Sequence, residues 1–416
     1  MRSSLLNPDS PQAVPRWRKI ALALCLFLVT GSFGFLQPFT SPYYAASGLD
    51  KAQIGLLAGL GTVIAVLIQP LLGRLSDRLD ARRPLMVATA LLAGVAYLLF
   101  RLADGFWPFL LLTALGTNGL QYLNTVGGVL VGRLATTEGG GAAYAKYRVW
   151  GSVGYICVCV VTGFLLSPSP GMSRTDLAPV FTYGPLLFFL IAAISLIVPD
   201  TKLAPSSSVP LRSEERAIAG GGRRLSGGGR GLKHFFFAYF LYQFALYGAS
   251  SYLSLFMKSL GAAPRQISLM FAAGVVCEVL VMSQVGKWTD RNGRKPALVL
   301  AFCLMPVRLL LYTLATSPAT VMAIQALHGL NYGIVGTLAV VYVNDCVTDS
   351  QRGTTQAMMT ATSGIALSVS PALCGWLAER YGFSAMFVAM SAVGVLGALY
   401  LITRVPESNP PAPKTG

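Results

Sequence analysis

Apolar residues in this chain come in long, nearly unbroken runs, not in the stripes of a water-soluble helix or the alternation of a half-buried strand. About twelve such runs follow one another. Six span 18–42, 52–74, 84–101, 106–133, 143–166 and 179–198; six more span 233–257, 265–286, 296–315, 318–344, 353–378 and 382–403. Each is close to the roughly 20 residues that a helix needs to cross a hydrocarbon core. No water is available there to satisfy the backbone, so each run must bond internally as a helix. The pattern predicts an all-α membrane protein of twelve transmembrane helices. The first run follows Arg16, Arg18 and Lys19 as a signal peptide would, but its length and its Gln37 and Pro38 mark it as a retained first helix.

The polar breaks carry a repeat. GRLSDRLDARRP spans Gly73 to Pro84 and GKWTDRNGRKP spans Gly286 to Pro296; Gly73 and Gly286, like Asp77 and Asp290, stand 213 positions apart. A repeat of about half the chain, flanked by apolar runs, points to a duplicated membrane half and to two six-helix bundles related by a pseudo-twofold axis. Asp77, Arg78, Asp290 and Arg291 are candidate gating residues, at helix ends where a carboxylate meets basic neighbours and helix N-termini. Between the halves, a Ser-, Gly-, Pro- and Arg-rich stretch without apolar periodicity reads as a linker. The expected division is 1–198 (first bundle), 199–232 (cytoplasmic linker) and 233–416 (second bundle).

The net charge of +16 would suit a nucleic-acid partner, but its placement argues against one. Lys and Arg crowd the N-terminus, both repeat loops and the linker, while the intervening loops hold few. That asymmetry orients membrane proteins with basic loops inside, so both termini and the linker are expected on the cytoplasmic face of the inner membrane. Hydrophobic residues make up 54% and charged residues 12% of the chain, with mean hydropathy +0.60, far from a soluble composition. No phosphate-binding G-x-x-x-x-G-K-[ST] loop occurs, which argues against ATP hydrolysis. The seven cysteines lie in or at the ends of apolar runs with no C-x-x-C pair, so neither metal nor cofactor is expected. Gly59-Leu60-Gly61 lies within a run and reads as close helix packing.

Three ionisable residues lie deep in apolar runs: Glu278, Arg308 and His328. At a rise of about 1.5 Å per residue they stand about 12, 18 and 15 Å from the nearest ends of their runs, near the midplane of a core about 30 Å thick. A charge there costs at least about 2.5–3.5 kcal/mol, so such residues are usually paired and functional. Desolvation favours a neutral carboxyl and a neighbouring guanidinium favours the carboxylate. A movement that parted Glu278 from Arg308 would therefore change proton binding, and the three form a candidate proton-coupling cluster. Polar stripes occur in both halves: Asn118, Gln121, Tyr122 and Thr125; Tyr239, Gln243, Tyr247 and Ser250; Gln325, His328 and Tyr332, with Asn331 beside them. They either tie helices together or line a wet central cavity, and the second use is expected.

The repeated loop resembles the signature G-x-x-x-D-R-x-G-R-[KR] of the major facilitator superfamily. Gly286, Asp290, Arg291, Gly293, Arg294 and Lys295 fit it fully; the first copy departs, with Asp80 in the glycine position and the arginine pair delayed to Arg82 and Arg83. Within that superfamily, YAKYRVWGSVGY (Tyr144 to Tyr155) and Met305 to Gly333 resemble the lactose permease and phenylpropionate permease branch of proton symporters. AAGVVCEVLVM, with Glu278, resembles the phenylpropionate type. The resemblance implies a substrate-binding arginine at Arg148, an aromatic that stacks on substrate at Tyr155, and a coupling arginine and histidine at Arg308 and His328. Two departures stand out: Asn331 replaces the branch's coupling carboxylate, and the fourth run offers Asn124 but no carboxylate for Arg148.

These readings predict a transporter, not an enzyme. The expected activity is proton-coupled symport of a small polar solute (a sugar, nucleoside or aromatic acid), with a proton-driven exporter of amphipathic compounds as the alternative. The expected substrate-binding set is Arg148, Tyr155, Asn118, Gln121, Tyr122, Gln243, Tyr247, Gln325 and Asn331. The expected partners are the solute, protons and the lipid bilayer, with the chain acting as a monomer.

Overall fold

The computed structural model describes residues 15–78, 82–138, 141–166, 171–198 and 228–408. The first half comprises α1 (Arg16–Leu36), the short α2 (Thr40–Ala46), α3 (Lys51–Arg78), α4 (Arg82–Leu99), α5 (Phe106–Glu138), α6 (Gly141–Leu165) and α7 (Arg174–Ser195). The second comprises α8 (Gly228–Ser250), the short α9 (Leu253–Ser259), α10 (Pro264–Asn292), α11 (Lys295–Thr313), α12 (Pro318–Asp345) and α13 (Arg352–Arg404). No strand occurs among the described residues. The first repeat loop past Arg78, the side chain of Asp77 and nearly all of the expected linker lie outside them.

Helix boundaries follow local chemistry. Ser173 caps α7: its hydroxyl accepts from the Asp176 amide while the Asp176 carboxylate accepts from the Ser173 amide. Ser317 caps α12 in the same sense, with Pro318 at the first helical position. Gly382, at φ 84°, divides the 53-residue α13 into two spans, a backbone conformation that glycine adopts without penalty.

Among the described residues, nine helices are long and apolar enough to cross a membrane, with α13 counted once. The two limbs of α13 make ten. α5 and α8 fall short in apolarity because Asn118, Gln121 and Asn124 interrupt one, and Tyr239, Gln243 and Tyr247 the other. They complete the twelve spans.

The duplication extends through the whole topology. α2 and α9 begin at Thr40 and Leu253, α3 and α10 at Lys51 and Pro264, and α4 and α11 at Arg82 and Lys295, each pair 213 positions apart. Gly48 and Gly261, again 213 apart, both turn the chain at positive φ after the short helix.

Glycines let helices meet backbone to backbone within each half. A Cβ on Gly154 of α6 would lie 2.1 Å from the Phe27 carbonyl oxygen of α1, and one on Gly34 of α1 would lie 2.7 Å from the Tyr155 carbonyl oxygen. On α12, Gly329 and Gly333 form a G-x-x-x-G face against Cys277 and Val281 of α10. Those two close pairs set the positions of Arg148 and Tyr155 on one side and of Glu278 and His328 on the other.

The halves touch through α3 with α13, α6 with α10, and α2 with α9. At the end away from the repeat loops, side-chain hydrogen bonds tie the halves together. There Lys51 pairs with Glu379 (3.2 Å), and the Tyr252 hydroxyl donates to the carbonyls of Lys51 (2.8 Å) and Pro371 (3.0 Å). Ser268 donates to the Cys159 carbonyl (2.6 Å) and Lys258 to that of Met172 (3.1 Å). Glycines fit here too: a Cβ on Gly59 would lie 2.3 Å from the Ser368 carbonyl oxygen, as the close packing read for Gly59-Leu60-Gly61 requires. Towards the loop end the halves part among the described residues, where a Cβ on Gly73, Gly286 or Gly353 would meet nothing within 4 Å.

Candidate functional site

Between the closed end and the loop end lies a cavity of about 300 Å³, walled by α1, α5 and α6 of the first half and by α8, α9, α10 and α12 of the second. Its first-half wall carries Thr30, Phe33, Gln37, Asn124, Arg148, Ser152 and Tyr155; its second-half wall carries Tyr247, Ser250, Phe271, Glu278, Gln325, His328 and Tyr332. Arg148 and Glu278 face each other across it and interact electrostatically, without the direct contact of a salt bridge. Opposite charges on opposite halves give the cavity a polarity along the axis that would join a bound solute to both bundles.

Most of the polar groups are held in place. The Tyr155 hydroxyl donates to Gln37 Oε1 (3.1 Å), and the Tyr312 hydroxyl donates to Gln325 Oε1 (2.6 Å). Gln243, behind the wall, donates from Nε2 to the hydroxyls of Tyr239 (3.0 Å), Ser363 (3.2 Å) and, more weakly, Tyr247 (3.4 Å). The His328 ring stacks on Tyr332 at 5.5 Å. Aromatic faces with hydroxyl tips suit a ring-bearing polar solute.

The structure differs from the sequence reading at five places, the first being Gln243, which was expected to bind substrate and instead lies buried behind the cavity wall as a packing tie. The expected pair of Glu278 with Arg308 is absent: Arg308, only 2% exposed, donates from Nη1 to His328 Nδ1 (2.7 Å), while Glu278 faces Arg148 from the other half. The stripe on α5 is turned away from the cavity. Asn118 is buried, donating to the Ala114 carbonyl and receiving Gln69 on its own, and Tyr122 donates to Ser76 (3.0 Å); both tie α5 into the first half. Gln121 lies off the cavity wall, where Asn124 takes the place on α5. Asn331 is also buried, donating to the Ala301 carbonyl of α11 (2.6 Å). Asn118 and Asn331 are 213 positions apart, so the duplicated helix uses an amide as a packing tie in both copies.

Gln37, Thr30, Phe33 and Ser152 belong to the cavity and were not among the expected site residues. Gln37 carried a signal, as an uncharged polar residue late in an apolar run; Thr30 and Ser152 carried none.

At the second repeat loop, Arg294 Nη1 bonds Asp290 (2.5 Å) and its Nε reaches Asp345 at the end of α12 (3.4 Å), while the Glu407 carboxylate accepts from the amides of Arg294 and Lys295. Arg78 and Arg291 are exposed. Asp290 is 67% exposed, so its pair with Arg294 contributes about 0.3–0.5 kcal/mol at most. Asp290→Asn should therefore leave the melting temperature within a degree or two and slow turnover severalfold. Unchanged turnover would remove the loop from the gate.

Twelve helices in two duplicated six-helix bundles, with a polar cavity between them closed at one end, define a multi-pass membrane transporter. The chain belongs to the major facilitator superfamily, where the MFS_1 like family matches residues 19–387. It is 24% identical over 387 residues to the maltose permease of Geobacillus stearothermophilus, covering 92% of this chain and 94% of that protein. It is 23% identical over 392 residues to the multidrug resistance protein MdtG of Proteus mirabilis, covering 90% and 92%. Its fold matches the nucleoside transporter NupG in its D323A form (TM-score 0.76, 16% identity, 94% of this chain and 100% of that one). It also matches the D-xylose-proton symporter (TM-score 0.73, 17% identity, 94% and 98%).

Proposed function

We propose that the chain is a proton-coupled symporter that carries a small polar solute through the central cavity, with Glu278 as the proton-binding group. The observation that carries this reading is the opposition of Arg148 on one half to Glu278, the carboxylate of the cavity wall, on the other. A solute lodged between them touches both bundles. Loading or unloading the proton changes the charge that the cavity presents to it. Tyr155, Tyr247 and Tyr332 supply faces for a ring, Arg148 a fork of donors for its oxygens. The sugar and nucleoside named for the permease, the symporter and NupG agree with a ring-bearing cargo.

In this reading the two halves, 1–198 and 233–416, rock about the cavity, and the loop end faces the cytoplasm, as its basic residues favour. The conformer described is then inward-facing. Purified protein in proteoliposomes, supplied with an imposed pH gradient and a panel of maltose, D-xylose, uridine and benzoate, tests the reading. Uptake that scales with the gradient supports it, and uptake indifferent to the gradient sinks the coupling. The resemblance to MdtG favours a second reading, a proton-driven exporter of amphipathic compounds. Gradient-driven expulsion of a dye such as ethidium, without uptake of any panel solute, would select it.

A further inference from the structure

Among the described residues Arg308 is the one fully buried arginine, set behind His328 of the cavity wall, and its partners are unusual. Nη1 contacts His328 Nδ1, Nη2 contacts the Met305 sulfur at 3.6 Å, and Nε has no partner. No carboxylate pairs with it among the described residues, and Asn331, on the neighbouring helix, points its amide at a backbone carbonyl. A guanidinium offers only donors. The 2.7 Å contact therefore requires a lone pair on His328 Nδ1, which places the ring's single proton on Nε2. An imidazolium has no lone pair to give, so protonating His328 breaks the bond and sets two cations side by side in a buried site.

Nε2 makes no hydrogen bond among the described residues, and the ring lines the cavity. The charged and titratable groups around it are Arg308 on α11, Glu278 on α10, Arg148 and Tyr155 on α6, Tyr247 on α8 and Tyr332 on its own helix. Of these only Arg308 bonds the ring; Tyr332 stacks on its face.

We propose that Arg308 is a positioning residue that locks His328 as the neutral Nε2–H tautomer, making His328 a fixed hydrogen-bond donor to an acceptor oxygen of the transported solute and not a proton carrier. This rests on the cavity being the solute site, and it deepens that reading: the solute must present a hydroxyl, carbonyl or carboxylate oxygen to α12. It also leaves Glu278 to carry the proton without help from the imidazole.

The chain has two histidines, which makes the tautomer directly readable. In the full-length protein, uniformly labelled with 15N-histidine and carrying His234→Gln, the only imidazole signals are those of His328. The expected spectrum shows an N–H type Nε2 and a bare Nδ1, unchanged between pH 5.5 and 8. Arg308→Met should turn it into a mixture of tautomers that titrates near the ordinary histidine value of about 6.5. Titration of His328 in the protein with Arg308 intact, or a proton on Nδ1, overturns the proposal. Uptake supplies the second arm, with D-xylose and uridine as probes. His328→Gln keeps a neutral N–H donor and should retain the pH profile within a few-fold in rate, whereas His328→Leu should lose about tenfold in apparent affinity, the loss of one hydrogen bond. Equal loss in both variants overturns the donor role. A locked tautomer with uptake indifferent to the pH gradient would instead sink proton coupling and leave this inference standing.

Discussion

Glu278→Gln should abolish accumulation of solute against its gradient while solute exchange across the membrane survives. Glutamine keeps the size and the hydrogen bonds of a protonated glutamate and cannot ionise. The cavity of the variant thus presents one fixed charge state, with Arg148 unopposed, through every cycle. With the membrane potential clamped at zero, each unit of pH gradient supplies about 1.36 kcal/mol per proton, a tenfold accumulation ratio in the native chain. In the variant that ratio should fall to one, with counterflow of labelled for unlabelled solute still measurable because alternation of the loaded carrier needs no proton. The measurement is steady-state accumulation in proteoliposomes over a range of imposed pH gradients. Retention of a slope with pH would show that Glu278 is a structural carboxylate and that the proton travels elsewhere.

The fold was almost fully legible in the sequence because a membrane imposes one rule on every span: an apolar run of fixed length that bonds internally. The 213-position repeat added the pairing of halves, and the helix starts at Lys51 and Pro264 carry that spacing into the structure. The site was legible in part. Glu278, Arg308 and His328 announced themselves as charges in apolar runs, and Arg148 and Tyr155 came through resemblance. What the sequence could not supply was the rotation of each helix about its axis. On α5 the difference between Asn118 and Asn124 is the difference between a packing tie and a wall of the cavity, and both are asparagines in an apolar setting. Similarly, depth along the runs pointed to Arg308 as the partner of Glu278, whereas Arg148 of the other half takes that place. The G-x-x-x-G contact between α12 and α10 decides which half Glu278 faces, and that contact depends on backbone approach rather than on residue type.

Arg308 sharpens the same lesson. A buried guanidinium is normally matched by a carboxylate, since an unpaired charge in low dielectric is expensive. Asn331 removes the expected one, and His328 supplies a neutral acceptor instead. In the proposed reading, proton binding and solute recognition then fall on different side chains of one cavity wall. That separation lets the two be altered independently, which a carboxylate cluster shared between them would not allow.

The closed end offers the last large effect. At Gly55 of α3 an added Cβ would lie 2.2 Å from the Pro371 carbonyl oxygen and 2.4 Å from the Tyr252 hydroxyl. The hydroxyl could swing aside, but the carbonyl belongs to α13 and cannot move without the helix. Gly55→Ala must therefore push the halves apart where Lys51, Tyr252 and Glu379 now hold them, and the Lys51–Glu379 pair is too exposed to resist. Overpacking of this kind costs about 1–3 kcal/mol, here charged only to the state closed at that end. A differential of that size moves the balance of two states by roughly 5- to 150-fold. Cysteine placed at Gln37, on the cavity wall, should then react faster with a membrane-impermeant maleimide added from the side of the closed end. Gly128→Ala, where a Cβ meets nothing within 4 Å, serves as the control and should leave the rate unchanged. Equal labelling rates for Gly55→Ala and the native chain would mean that the glycine contact does not hold this end shut, and that the seal resides in α6 and α10, where Ser268 bonds the Cys159 carbonyl.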